Sequence, residues 1–373
     1  MNTGLSRSTI VTARSSAPRD GAPRAVGIWL LICCLLVVAI LIVGGVTRLT
    51  HSGLSITEWQ PIVGTLPPLS AAQWNEAFAK YQATPEYRLV NQGMSLAEFK
   101  SIFWWEYVHR LLGRAVGVAF ALPLLWFAAR RMLPQRLAPA LIAIFALGAL
   151  QGALGWYMVQ SGLVDDPRVS QLRLAAHLGL ALLILAAMFW LSLSLLEPYA
   201  DGRAEASALQ TQGAAALRRF ARAIVALVFV QTIAGGLVAG IRAGLAYNTF
   251  PLMNGQLVPP EILSLEPWYR NFTDNVATVQ FDHRMIAWLL ALLIPLFWLR
   301  AQRQRVSPRV APAAWLLLAA LFAQLALGIA TLLLVVPVPL AAAHQAGAVL
   351  LFAAALNAAH ALRLPGGVRA ARA

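Results

Sequence analysis

Eight apolar runs, each about 20 residues long, recur along the chain at residues 26–46, 103–127, 137–158, 172–196, 221–240, 277–299, 312–336 and 340–362. A helix of that length rises about 30 Å, the thickness of the hydrocarbon layer of a bilayer. With 59% hydrophobic and 12% charged residues over 373 positions, the chain is too apolar for a soluble globular domain of its length. The runs predict an all-α membrane protein with eight transmembrane helices.

Charge orients the spans. If the chain crosses eight times starting from the inside, its N-terminal tail, even-numbered loops and C-terminal tail hold 18 arginines, as in RRMLPQR (Arg130–Arg136) and RAQRQRVSPR (Arg300–Arg309). Against these stand Asp20, Glu197, Asp201 and Glu205, a difference that accounts for the whole net charge of +14. The other 11 basic and 11 acidic residues cancel. This asymmetry places both termini in the cytoplasm and the segments 47–102 and 241–276 outside. The basic excess is thus a topological signal and calls for no nucleic acid. Cys33 and Cys34, adjacent in the first span, read as apolar filler. The Ser- and Arg-rich N-terminal tail could be a mitochondrial transit peptide. The lysine-poor, Ala/Arg-rich composition favours a cytoplasmic tail and a bacterial inner (plasma) membrane over the mitochondrial one.

The chain repeats itself. GGVTRLTHSGLS (Gly44–Ser55) resembles GGLVAGIRAGLA (Gly235–Ala246), and both precede outward segments with a proline pair, Pro67-Pro68 and Pro259-Pro260. EYVHR at Glu106 matches QFDHR at Gln280, QGALG at Gln151 matches QLALG at Gln324, and AAHLG matches AAHQAG. The expected organisation is a cytoplasmic tail (1–25), a four-helix half (26–196), a cytoplasmic linker (197–220), a second half (221–362) and a tail (363–373). Four crossings per copy preserve orientation, so the two tandem four-helix bundles should be related by a pseudo-two-fold axis along the membrane normal.

His109, His177, His283 and His344 fall in even-numbered spans, each six or seven residues below the outward end, a depth of roughly 10 Å. A solitary buried imidazole is more often a hydrogen-bonded core residue than a ligand. Matched depth, recurrence across the repeat and the absence of water in lipid favour a shared purpose here. Imidazole binds zinc, copper or haem iron. One histidine per helix and two per repeat suit two haem compartments, one in each half; a single four-histidine metal site is the alternative. His51, with Arg242 at its repeat position, and His360, near the cytoplasmic end of the last span, read as interfacial rather than ligating, with His51 keeping a candidate place near a haem edge.

Three residues before the first histidine stands Glu106; its repeat counterpart is Gln280. Only the first compartment therefore has a proton donor or acceptor one turn from its histidine. The competing reading is an interfacial glutamate paired with Arg110 or Arg114. Arg48, Arg110, Arg114, Arg242 and Arg284 lie at outward helix ends and are candidates for haem propionates, with Arg110 and Arg284 favoured because they recur directly after a histidine; interfacial snorkelling is the alternative. Trp59, Trp104, Trp105 and Trp268 read as an aromatic belt, and Gly44-Gly45 and Gly235-Gly236 as points of close helix or porphyrin approach.

EYVHRLLGR, AAHLGL, DHRMIAW and AAAHQAGA, set in an eight-span duplicated chain, resemble the haem A synthase family over about Val26 to Leu362. The resemblance implies oxidation of the C8 methyl of haem O to the formyl of haem A for cytochrome oxidase, through an alcohol and a geminal diol. It implies His109 and His177 as ligands of the substrate haem iron, Glu106 as the active-site carboxylate, and His283 and His344 as ligands of a haem b cofactor. It implies haem O synthase and cytochrome oxidase assembly factors as partners, and leaves homo-oligomerisation open. Some relatives carry a cysteine pair in the first outward segment; this chain has none between Val46 and Phe103 and resembles the class without it. The main rival is a dihaem b-type cytochrome passing electrons between a quinone and a periplasmic acceptor. A haem transporter is disfavoured because the four histidines share one level.

Overall fold

The computed structural model describes residues 22–59, 63–133, 136–163, 167–197, 207–304 and 306–364. The expected tails at 1–21 and 365–373, and linker residues 198–206, lie outside the described residues. The elements in order are α1 (Ala22–Leu49), α2 (Ala71–Gln82), α3 (Pro85–Leu89), α4 (Leu96–Ala129), α5 (Ala138–Gln160), α6 (Gln171–Leu196), α7 (Gln212–Gly240), α8 (Asn271–Asp274), α9 (Val276–Arg303), α10 (Val310–Leu333) and α11 (Val338–Ala361). Eight of them, α1, α4 to α7 and α9 to α11, are long and apolar enough to cross a membrane, as the runs require.

Local chemistry fixes where the helices begin. Ser70 and Ser95 close capping boxes with Gln73 and Glu98, starting α2 and α4. Ser170, Thr211 and Asn275 each accept a hydrogen bond from the backbone N–H of the third residue on, and so start α6, α7 and α9. The Ser95 cap carries α4 to 34 residues, seven more on the outward side than the apolar run alone predicts.

Within the first half, α1 packs on α4 and α6, and α5 on α6 and α4. Within the second, α7 packs on α9 and α11, and α10 on α11 and α9. The halves meet through α6 on α7, α1 on α11 and α6 on α11. Lipid tails give no hydrophobic incentive for apolar helix faces to leave them, so close packing and polar cross-links hold such a bundle, each hydrogen bond contributing about 0.6 kcal/mol. Trp29 Nε1 donates to the Ala119 carbonyl (2.8 Å), Ser192 Oγ to Gly27 (2.8 Å) and Gln345 Nε2 to Leu41 (2.6 Å). Cys33 and Cys34 are free thiols inside this core, as expected of filler.

His360 departs from its interfacial reading. It is fully buried, with Nε2 3.1 Å from Ser194 Oγ and its ring edge-on to Trp190, so it ties α11 to α6. Its position near the end of the last span concealed that α6 packs over it.

The segment between α1 and α4 is a small folded cap. Trp74, Phe78 and Tyr81 form one face of α2 and pack against Phe99, Phe103 and Tyr107 of α4, residues spaced by four on its extended first turns. The second outward segment is instead pinned by amides. Buried Asn271 bonds Leu265 through both its oxygen (2.9 Å) and its nitrogen (2.8 Å), and Asn275 donates to the Glu261 carbonyl (2.9 Å). Trp59, Trp104, Trp105 and Trp268 are exposed.

Candidate functional site

Each of the four histidines faces a glycine on the next helix. A Cβ added at Gly44 would lie 2.7 Å from His109 Cε1, at Gly155 3.0 Å from His177, at Gly235 3.2 Å from His283 and at Gly328 2.8 Å from His344. Any side chain larger than hydrogen would push the ring aside, so the glycines set the level and tilt of all four imidazoles. His109 (α4) and His177 (α6) lie within electrostatic reach of each other, as do His283 (α9) and His344 (α11). The sequence-predicted residues are thereby brought together two by two, one pair in each half. Among the described residues no three His, Cys, Asp or Glu side chains converge, which disfavours the four-histidine metal site.

The rings fit a haem ligand set on the structure's own terms. Each ring is partly accessible, with its Nδ1 buried against the neighbouring helix. Four imidazoles seated alike at four equivalent places suit one ligand chemistry.

Glu106 lies one turn outward of His109 and is 2% exposed. Its Oε2 accepts from Ser55 Oγ (2.7 Å) and the Ile56 N–H (2.7 Å), and its Oε1 from Arg110 Nε (3.0 Å) and Nη2 (2.6 Å). Arg110 also donates to the carbonyls of Ile56 (2.7 Å) and Glu58 (2.9 Å). Carboxylate and guanidinium together clamp the turn after α1 onto α4. The competing reading of Glu106, an ion pair with Arg110, is therefore present.

The second half builds the same clamp without charge. Gln280, 3% exposed, accepts from Arg284 Nη2 (2.9 Å) and donates to the carbonyls of Ala243 (2.7 Å) and Ala246 (2.6 Å). Arg284 donates to the Tyr247 (2.7 Å) and Thr249 (2.9 Å) carbonyls. An amide holds the second turn because two of its partners are carbonyls, whereas the first turn presents only donors to Glu106. Arg110 and Arg284, favoured for propionates, are both committed to loop carbonyls here.

The two turns meet where the halves join. His51 and Arg242, equivalent in the repeat, both adopt left-handed backbone (φ 53° and 56°), and Arg242 Nη2 lies 3.1 Å from His51 Nδ1. Arg48 donates to the carbonyls of Ala239 (3.0 Å) and Gly240 (2.9 Å) at the end of α7.

Sequence reading missed Glu86. This α3 residue is 5% exposed and meets Tyr81 Oη at 3.4 Å, which accepts from Asn91 Nδ2 at 2.7 Å. Burial, and next the charge of Glu106, push its carboxyl up to about 7, against the opposing pull of Arg242 and Arg48. Thr84-Pro85, an N-cap followed by proline, marks the start of α3 in the sequence but not the direction in which its glutamate turns.

The COX15-CtaA family profile, described as cytochrome oxidase assembly protein, matches residues 27–356. A Nitrosospira multiformis protein named “Heme A synthase” is 59% identical over 340 residues, covering 91% of this chain and 94% of the relative. Proteins of the same name from Nitrosomonas eutropha and Parvibaculum lavamentivorans are 56% identical over 331 residues and 49% over 343. Those alignments cover 89% and 92% of this chain, and 92% and 96% of the respective relatives. A profile match over residues 27–356, with relatives of that identity and coverage, makes this chain a member of the COX15-CtaA cytochrome oxidase assembly protein family.

Proposed function

We propose that this chain is a haem A synthase of a bacterial inner membrane, oxidising the C8 methyl group of haem O to the formyl group of haem A for cytochrome oxidase. Haem O synthase is the expected source of its substrate, and cytochrome oxidase assembly factors the expected recipients of its product. The observation that carries the reading is the unequal pair of clamps: two equivalent histidine pairs, with an ionisable carboxylate beside one and an inert amide beside the other. Two resident haems that only exchange electrons would need no such difference, which disfavours the dihaem cytochrome.

In this reading His109 and His177 hold haem O by its iron, and His283 and His344 hold haem b. Haem b, when bound, supplies one-electron transfer. Glu106 takes up protons released as the methyl is oxidised, and its charge stabilises positive charge developing at that carbon. Arg110 and the Ser55 and Ile56 donors keep the carboxylate in place between turnovers. The glycines opposite the histidines leave each ring no room to tip toward its neighbouring helix.

The two halves are tandem bundles about a pseudo-two-fold axis along the membrane normal. Support comes from the helix neighbours, since exchanging α1, α4, α5 and α6 for α7, α9, α10 and α11 maps each packed pair onto another packed pair. Both termini lie in the cytoplasm, on the strength of the arginine distribution.

The test is a chromatographic haem profile of cells that make haem O and express this chain. Haem A should appear with the parent and vanish with His109→Ala or His177→Ala. His283→Ala should deplete b-type haem from a protein that still inserts. A parent that leaves haem O unchanged while its bound haems cycle between redox states would favour the cytochrome.

A further inference from the structure

The four glycines that face the histidines belong to a longer pattern. Four residues before Gly155, Gly235 and Gly328 stand Gln151, Gln231 and Gln324. Each glutamine donates Nε2 across the helix seam to the backbone carbonyl of the facing histidine, at 3.0 Å in all three cases. The amides of Gln151 and Gln231 also lie 3.3 Å from Nε2 of the rings of His177 and His283. At the fourth site, four residues before Gly44, the chain has Ile40, whose backbone lies against the His109 ring and whose side chain has nothing to donate.

The seam between α1 and α4 is tied elsewhere. Thr47 Oγ1 reaches the Trp105 carbonyl (3.2 Å) one turn outward of His109, and Trp29 bonds Ala119 far inward. At the level of the ligand the His109 ring meets the Ile40 backbone, and among the described residues no side-chain amide reaches the His109 carbonyl as it does in the other three seams. A porphyrin can enter or leave only if a helix seam beside its ligand loosens, and in lipid a polar cross-link at that level resists loosening because its groups find no water when parted.

We propose that Ile40 makes His109 the yielding ligand of the four, so that the porphyrin shared by His109 and His177 exchanges while the one between His283 and His344, braced by glutamine on both sides, stays. This deepens the functional reading and rests on it, because substrate must come and go and a cofactor must not. Ile40 and the three glutamines are positioning residues, acting through the histidine backbone.

The experiment measures haem loss from the purified, detergent-solubilised full chain, loaded with haem O, to excess apomyoglobin, followed at the Soret band. The parent should release haem in two phases. His109→Ala should abolish the fast one, and His283→Ala the slow one. Ile40→Gln, close in volume, should slow the fast phase about three- to tenfold and leave the slow phase unchanged, whereas Ile40→Leu should match the parent. Gln151→Ile should quicken the fast phase, and Gln231→Ile or Gln324→Ile the slow one, by similar factors. An Ile40→Gln protein with a parent-like fast phase, or a fast phase that belongs to the His283 and His344 pair, would overturn the proposal. If Ile40→Gln does not fold, a fast phase unmoved by Gln151→Ile would do the same. A parent that binds no porphyrin would sink the haem-ligand reading beneath it, a different outcome from unchanged exchange.

Discussion

At the scale of single residues, Glu106 and Gln280 show how surroundings select a side chain. The partners of Glu106 are donors: a hydroxyl, a backbone N–H and a guanidinium. Gln280 instead uses its amide nitrogen on two carbonyls. Read from sequence alone, Glu106→Gln removes a charge and little else. In the fold it also turns an NH₂ group toward Ile56 N–H or Arg110, leaving a buried donor unpaired. Haem A formation should fall by about 10² to 10⁴ for loss of the acid or base. Thermal unfolding should show a loss of about 1–3 kcal/mol besides. The reverse change, Gln280→Glu, sets a carboxylate against the Ala243 and Ala246 carbonyls and should lower stability at neutral pH. Parent-like melting of Gln280→Glu would show that the carbonyls do not discriminate.

Among the elements, the outward caps differ most between the copies. The first is a helical cap with an aromatic core, the second a coil held by asparagines. Both capping boxes, Ser70 with Gln73 and Ser95 with Glu98, stand in the sequence, but the segments they start are too short and too polar to register as spans. Nothing local announces that α3 buries Glu86, because that burial depends on Tyr81, Asn91 and the nearby Glu106, Arg48 and Arg242. Its carboxyl, raised from 4.5 to about 7, favours the folded state when protonated. The stability it contributes is fully present below pH 4.5 and is lost as pH rises through 7, a change of at most about 3 kcal/mol. Glu86→Gln should flatten that part of the stability profile in thermal melts between pH 5 and 8. An equally steep profile in the variant would assign the titration to another group.

For the whole molecule, the decisive variable is which way the spans run. Reporter fusions after Ala208 and Gln304 should report the cytoplasm, and fusions after Gln92 and Pro260 the periplasm. A cytoplasmic Gln92 would invert the arginine argument and put the histidine level near the wrong surface. The same orientation sets the clamps, the junction of Arg48, His51 and Arg242, and the Glu86 cap on the outward side of that level, so one experiment tests the placement of all of them.

Hydropathy fixed the number of spans, because a backbone in hydrocarbon has little choice but to be helical, and composition carried that constraint openly. The repeat and the four histidines were legible for the same reason: ionisable or ligating groups stand out against an apolar background. What the linear pattern lacked was partnership. Gly44, Gly155, Gly235 and Gly328 lie 16 to 65 residues from the rings they seat. His360 became core, Arg110 and Arg284 became loop clamps, and Ile40 became the one unbraced position opposite a histidine only when the helices packed. Those are properties of seams between helices, set by close packing and cross-helix hydrogen bonds, and tertiary structure alone decides them.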